Sequence, residues 1–100
     1  MNRITNRRNY FVSYDIADDK RRTQVFKICE AFGNHVQYSV FLCELDRREV
    51  VRMRDQLAQV IHHGDDQVLF VDVGPAVVDV MANIDVLGQS YSPPGRRFVV

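Results

Sequence analysis

Val36-Gln37-Tyr38-Ser39-Val40-Phe41-Leu42-Cys43-Glu44-Leu45 decides the fold. The run is rich in β-branched and aromatic residues but too long for one simple strand. It divides into a short strand near 35–38, a tight reversal and a strand near 40–45. Upstream, Tyr10-Phe11-Val12-Ser13-Tyr14-Asp15-Ile16 has the same character and predicts a first strand. Asp18 and Asp19 then offer an N-cap, and Val25, Ile28, Cys29 and Phe32 recur at the spacing of one buried helix face. Gly33-Asn34 closes that helix. Downstream, Asp46 and Glu49 form a capping-box pattern that opens a second helix, with Val50, Met53, Leu57, Val60 and Ile61 inward and Gly64 as its stop. Gln67 to Val73 predicts another strand. The order β-α-β-β-α-β predicts an α+β, ferredoxin-like fold: four antiparallel strands with two helices on one face.

Gly74 to Val100 reads less regularly. Ile84-Asp85-Val86 alternates and predicts a short C-terminal strand, and Gly88 to Arg97 is rich in turn residues. Residues 1–100 then form a single domain, with a core of about 9–73 and a C-terminal segment of about 74–100. Tyr10, Val12 and Tyr14 share one face of the first strand, while Phe11 and Ser13 share the other. A sheet apolar on both sides is hard to satisfy within 100 residues. The pattern therefore predicts a homodimer packed sheet to sheet, with the C-terminal segment dimerising.

Composition narrows the class. Hydrophobic residues make up 46% and charged residues 26%, with 5 Gly and 3 Pro, which suits a packed domain rather than disorder or collagen. No stretch approaches the roughly 20 apolar residues of a membrane span, and the basic start of the chain leads into no apolar signal segment. Cys29 and Cys43 both fall inside apolar patterns, as buried reduced thiols do, so the expected location is cytoplasmic, away from membranes. Thirteen Lys and Arg balance thirteen Asp and Glu, so no global field draws nucleic acid. The charges are nevertheless uneven. Arg3, Arg7, Arg8, Lys20, Arg21, Arg22 and Lys27 crowd the first third, Arg47, Arg48, Arg52 and Arg54 lie mid-chain, and Arg96 and Arg97 near the end. Such clusters contact phosphates locally, although solvated surface is their more ordinary meaning.

Asp15 is the chemical candidate. It closes the first strand, and a carboxylate there suits a hard cation such as Mg²⁺. One carboxylate makes a poor site, which a two-fold axis would remedy by bringing two copies together. On pattern alone a capping or turn aspartate is the more ordinary reading. Ser39, in the reversal, offers a hydroxyl to a phosphate or to its own backbone. His62 and His63 are adjacent and diverge on a helix, His35 stands alone, and no zinc-type spacing occurs. Phosphate-loop, dinucleotide and esterase motifs are absent.

Tyr14-Asp15-Ile16, Asp19-Lys20-Arg21-Arg22, the segment Val36-Gln37-Tyr38-Ser39-Val40-Phe41 after Gly33, and Asp65-Asp66 before an apolar strand together resemble the small CRISPR-associated protein two family. The resemblance spans about residues 9–73, and Val86-Leu87-Gly88, Pro93-Pro94 and Arg96 are similar to one subset of it. Gln67, where many relatives carry Ser, and the exit of the strand at Phe70-Val71-Asp72-Val73 depart from the pattern.

The resemblance implies a ferredoxin-like homodimer serving CRISPR adaptation, which binds nucleic acid and bridges copies of the integrase during spacer acquisition. It also implies a metal-dependent endonuclease on RNA or double-stranded DNA, an endoribonuclease or DNase using Mg²⁺ or Mn²⁺. Asp15 would then be catalytic residue and metal ligand, with Lys20, Arg21, Arg22 and Ser39 contacting nucleic acid. Two other classes stand beside it: a non-catalytic adaptor, and a ribonuclease toxin of the virulence-associated protein D type, against which the Val36–Phe41 match argues. An RNA-recognition module lacks its aromatic signature here.

Overall fold

A computed structural model describes residues 6–91. The chain runs β1 (Arg8–Asp15), α1 (Asp19–Phe32), β2 (Asn34–Gln37), β3 (Val40–Leu45), α2 (Arg47–Val60) and β4 (Gln67–Pro75), followed by a 3-10 turn at Val80–Asn83. The strands form one antiparallel sheet in the order β2-β3-β1-β4. The first and third strands are therefore central, as the βαββαβ arrangement requires.

Alternation along the strands sorts the two faces. Val12 stands between Phe41 and Phe70, and Tyr14 beside Val68, all turned toward the helices. Val25 and Cys29 of α1, with Met53 and Leu57 of α2, close the core over them. Phe26, Phe41 and His35 pack edge-on and stacked, with centroids 4.8–5.4 Å apart. Burial pushes the Cys29 and Cys43 thiols up to about 12, so both remain protonated and unreactive as expected for core thiols.

The opposite face is also apolar. Phe11 aligns with Leu42 and Val71, and Ser13 with Val40 and Leu69. Leu69 and Val71 are 49% and 47% exposed, so this face lacks full cover in the chain.

Local chemistry accounts for the element ends. Asp18 accepts from the Arg21 amide at the start of α1, and Asp46 and Glu49 complete the capping box of α2. Gly33 caps α1 in extended conformation, φ −166°, so its missing side chain matters for space. A Cβ there would collide with Cys43 Sγ and lie 2.6 Å from the Leu42 carbonyl oxygen. The β2–β3 reversal has two residues, Tyr38 and Ser39, with Tyr38 at φ +40°.

Three expectations shift. Helix α2 ends at Val60 rather than at Gly64, because the Asp66 carboxylate takes the His62 amide and the His62 carbonyl accepts from Asp65 and Asp66. Strand β4 continues past Val73 to Pro75. Ile84-Asp85-Val86 forms no strand: it follows a 3-10 turn capped by Asp79, and Gly88 at φ +99° soon breaks any ladder. The segment instead touches β2 through the Tyr91 hydroxyl, which donates to the Val36 carbonyl at 2.9 Å. Arg3, Pro93, Pro94, Arg96 and Arg97 lie outside the described residues.

Candidate active site

Asp15 is the last residue of β1 and shares the face of Phe11 and Ser13, so its carboxylate belongs to the open side of the sheet. Its side chain is exposed and makes no hydrogen bond or ion pair with any described residue. The N-cap of α1 is Asp18, so Asp15 has no capping duty. Opposite it in register stands Gln67, the first residue of β4. The Ser39 carbonyl accepts from the Tyr14 amide at 3.2 Å, which brings the β2–β3 reversal to the same end of the sheet.

The basic run that follows Asp15 divides by role. Lys20 is exposed and enters no ion pair among the described residues. Arg22 reaches back along the chain: Nη1 meets Asp19 Oδ1 at 2.6 Å and Nη2 donates to the Ile16 carbonyl at 3.0 Å. Arg21 turns inward to Asp66, with Nε on Oδ2 at 2.7 Å and Nη2 on Oδ1 at 3.1 Å. The same carboxylate accepts from the Ala17 amide at 2.9 Å and the His62 amide at 2.8 Å. Arg21 beside it, reinforced by the two amides, holds the Asp66 carboxyl well below the ordinary carboxylate range. Sequence reading caught Asp66 only as part of an acidic pair; its partners are distant in the chain, and no local pattern marks them.

Other basic residues are also engaged by acids. Arg7 pairs with Glu44 and Glu49, and Arg8 with Asp72, each at 2.8–2.9 Å. On α2, Arg47, Arg48 and Arg52 are exposed without an ion pair among the described residues, and Arg54 lies 5.5 Å over the Phe70 ring. This basic helix is on the side of the sheet opposite Asp15. No group of three His, Cys, Asp or Glu able to hold a metal occurs among the described residues. No helix among them is long and apolar enough to cross a membrane.

The family model for CRISPR associated protein Cas2 matches residues 8–79, which covers the whole sheet, both helices and Asp15. The chain belongs to the Cas2 family. Among curated relatives, the CRISPR-associated endoribonuclease Cas2 of Geobacter sulfurreducens is 36% identical, over 91% of this chain and 95% of its own length. The CRISPR-associated endoribonuclease Cas2 1 of Rhodospirillum rubrum is 41% identical, over 91% and 88%. Among solved structures, Streptococcus pyogenes Cas2 superposes with a TM-score of 0.69 at 29% identity, covering 80% of this chain and 99% of that one. A hypothetical protein from Thermus thermophilus gives 0.72 at 32%, covering 87% and 98%. These likenesses extend over the ferredoxin-like architecture as a whole, and the Cas2 matches agree with the segments that first suggested the family.

Proposed function

We propose that this chain is a CRISPR-associated endonuclease that works as a homodimer, with one Asp15 from each copy holding a shared divalent cation. The observation that carries the reading is the unengaged Asp15 carboxylate on a sheet face whose apolar residues lack cover. A protomer supplies one such carboxylate, and Mg²⁺ is commonly held by one or two carboxylates with waters filling the remaining positions. Packing the open faces of two copies together buries Phe11, Leu42, Leu69 and Val71 and brings the strand ends toward one axis. A cation there, Mg²⁺ or Mn²⁺, neutralises charge on a phosphodiester and lowers the pKa of its water. Lys20 and Ser39, at the same end of the sheet, are suited to phosphate oxygens, and Arg22 adds positive charge behind them. The substrates are RNA or double-stranded DNA, and the names of the relatives favour RNA.

A second role is favoured by the arginines of α2. They lie away from Asp15, where a bound duplex would sit without being cut. That suits a dimer bridging the integrase in spacer acquisition, whether or not it also cleaves. One experiment separates the roles: cleavage of RNA and duplex DNA by wild type and Asp15→Asn in Mg²⁺, with sedimentation of both. Cleavage lost in a folded Asp15→Asn dimer supports the nuclease reading. Full cleavage by Asp15→Asn, or a wild-type monomer at micromolar concentration, overturns the shared site. Duplex binding without cleavage by wild type leaves the adaptor role alone.

A further inference from the structure

The Asp15 carboxylate has no hydrogen bond of its own among the described residues, so its direction is set by the backbone that carries it. Two side chains hold that backbone immediately after Asp15. Arg22 Nη2 donates to the Ile16 carbonyl at 3.0 Å, and Asp66 Oδ1 accepts from the Ala17 amide at 2.9 Å. Asp66 also directly precedes Gln67, the residue that faces Asp15 in register. One residue thus meets the exit of β1 through its carboxylate and leads into β4 through its own backbone.

Asp66 is built for this task. Its side chain has no exposed surface, and both oxygens are occupied, by Arg21, by the Ala17 amide and by the His62 amide where α2 ends. A buried charge survives only when compensated in this way, and such a charge fixes the relative placement of the elements that meet on it. Here they are the β1–α1 loop, α1 and the α2–β4 loop. Mg²⁺ demands near-ideal octahedral geometry, so a ligand with few supports must be aimed by its frame.

We infer that Asp66 is a positioning residue for Asp15, setting the direction of its carboxylate through the Ile16-Ala17 backbone, with Arg21 holding Asp66 in place. The inference rests on Asp15 being the metal ligand. It gives the basic run two kinds of work: Arg21 and Arg22 brace the site from behind, and Lys20 remains free for phosphate.

The test uses Mn²⁺ alone as probe, without nucleic acid, and reads binding by electron paramagnetic resonance together with hydrogen exchange of the Ala17 amide. In Asp66→Asn the Ala17 amide exchanges faster and Mn²⁺ affinity falls about ten-fold, as for other groups that orient a ligand. Leu57→Ala, a core truncation that also lowers stability, leaves Mn²⁺ affinity at the wild-type value, so mere destabilisation is separated from positioning. Should Asp66→Asn not fold, the exposed substitution Arg22→Gln releases the Ile16 carbonyl and weakens Mn²⁺ in the same direction. Mn²⁺ binding that is lost in Asp15→Asn but unchanged in folded Asp66→Asn, or in Arg22→Gln where that serves, overturns this inference alone. Wild-type protein that binds no Mn²⁺ overturns the Asp15 reading, and this inference with it.

Discussion

Arg21 Nε lies 2.7 Å from Asp66 Oδ2, and the Asp66 side chain is wholly withdrawn from solvent. A guanidinium that meets a carboxylate with two of its nitrogens is held in one plane, and here the plane runs between α1 and the loop that enters β4. The pair links elements that are neighbours in space and far apart in sequence.

Acid should expose this pair. Folding lowers the Asp66 carboxyl, first through Arg21 and then through the His62 and Ala17 amides. A group lowered by folding stabilises the native state fully above its unfolded pKa of about 4, and that contribution fades as pH falls through the folded value. Urea midpoints of wild type and Asp66→Asn should therefore differ most near neutral pH and converge toward pH 2. A gap that stays constant across this range would mean that Asp66 charge has no part in stability.

Much of the architecture was legible because it was written locally. The Asp46–Glu49 box and the Asp18 cap sit within one turn of what they cap, and the Val12, Phe41 and Phe70 alternation has a two-residue period. Asp15 was legible as a strand-end carboxylate. The Asp66 contacts were not, since its partners Ala17 and Arg21 lie 49 and 45 positions away and only tertiary folding joins them. The same limit governs the charges. Composition counts Arg7, Arg8, Arg21 and Arg22 as free positive charge, while the fold pairs each with an acid of the same chain. The alternation at Ile84–Val86 misled because three residues carry too little ladder to outweigh the adjoining turns.

Gly33 offers a packing prediction. Its extended φ is open to any residue, so the obstacle to a side chain is the backbone of β3, with the Leu42 carbonyl 2.6 Å and Cys43 Cα 2.9 Å from an added Cβ. Gly33→Ala should cost about 1–3 kcal/mol, the usual range for overpacking a closed site. Adding Cys43→Ala should not restore the loss, because the carbonyl remains. Thermal unfolding of the two variants reads this; a neutral Gly33→Ala would show that α1 and β3 separate more easily than their contact suggests.

The last prediction concerns where phosphates bind outside the Asp15 end. Arg48 and Arg52 stand one helical turn apart on α2, exposed and without an ion pair among the described residues, whereas Arg8 is exposed but occupied by Asp72. A free guanidinium displaces counterions when it meets a phosphate; one already bound to a carboxylate must first give up that partner. Each phosphate contact contributes about 0.9 to the slope of log affinity against log salt on duplex DNA. Arg48→Ala with Arg52→Ala should thus weaken duplex binding about equally for all sequences and make the slope shallower by roughly 1–2. Arg8→Ala should leave the slope near its wild-type value. Titrations at several salt concentrations compare them, and a steeper dependence on Arg8 than on the α2 pair would move the duplex from α2 to the start of β1.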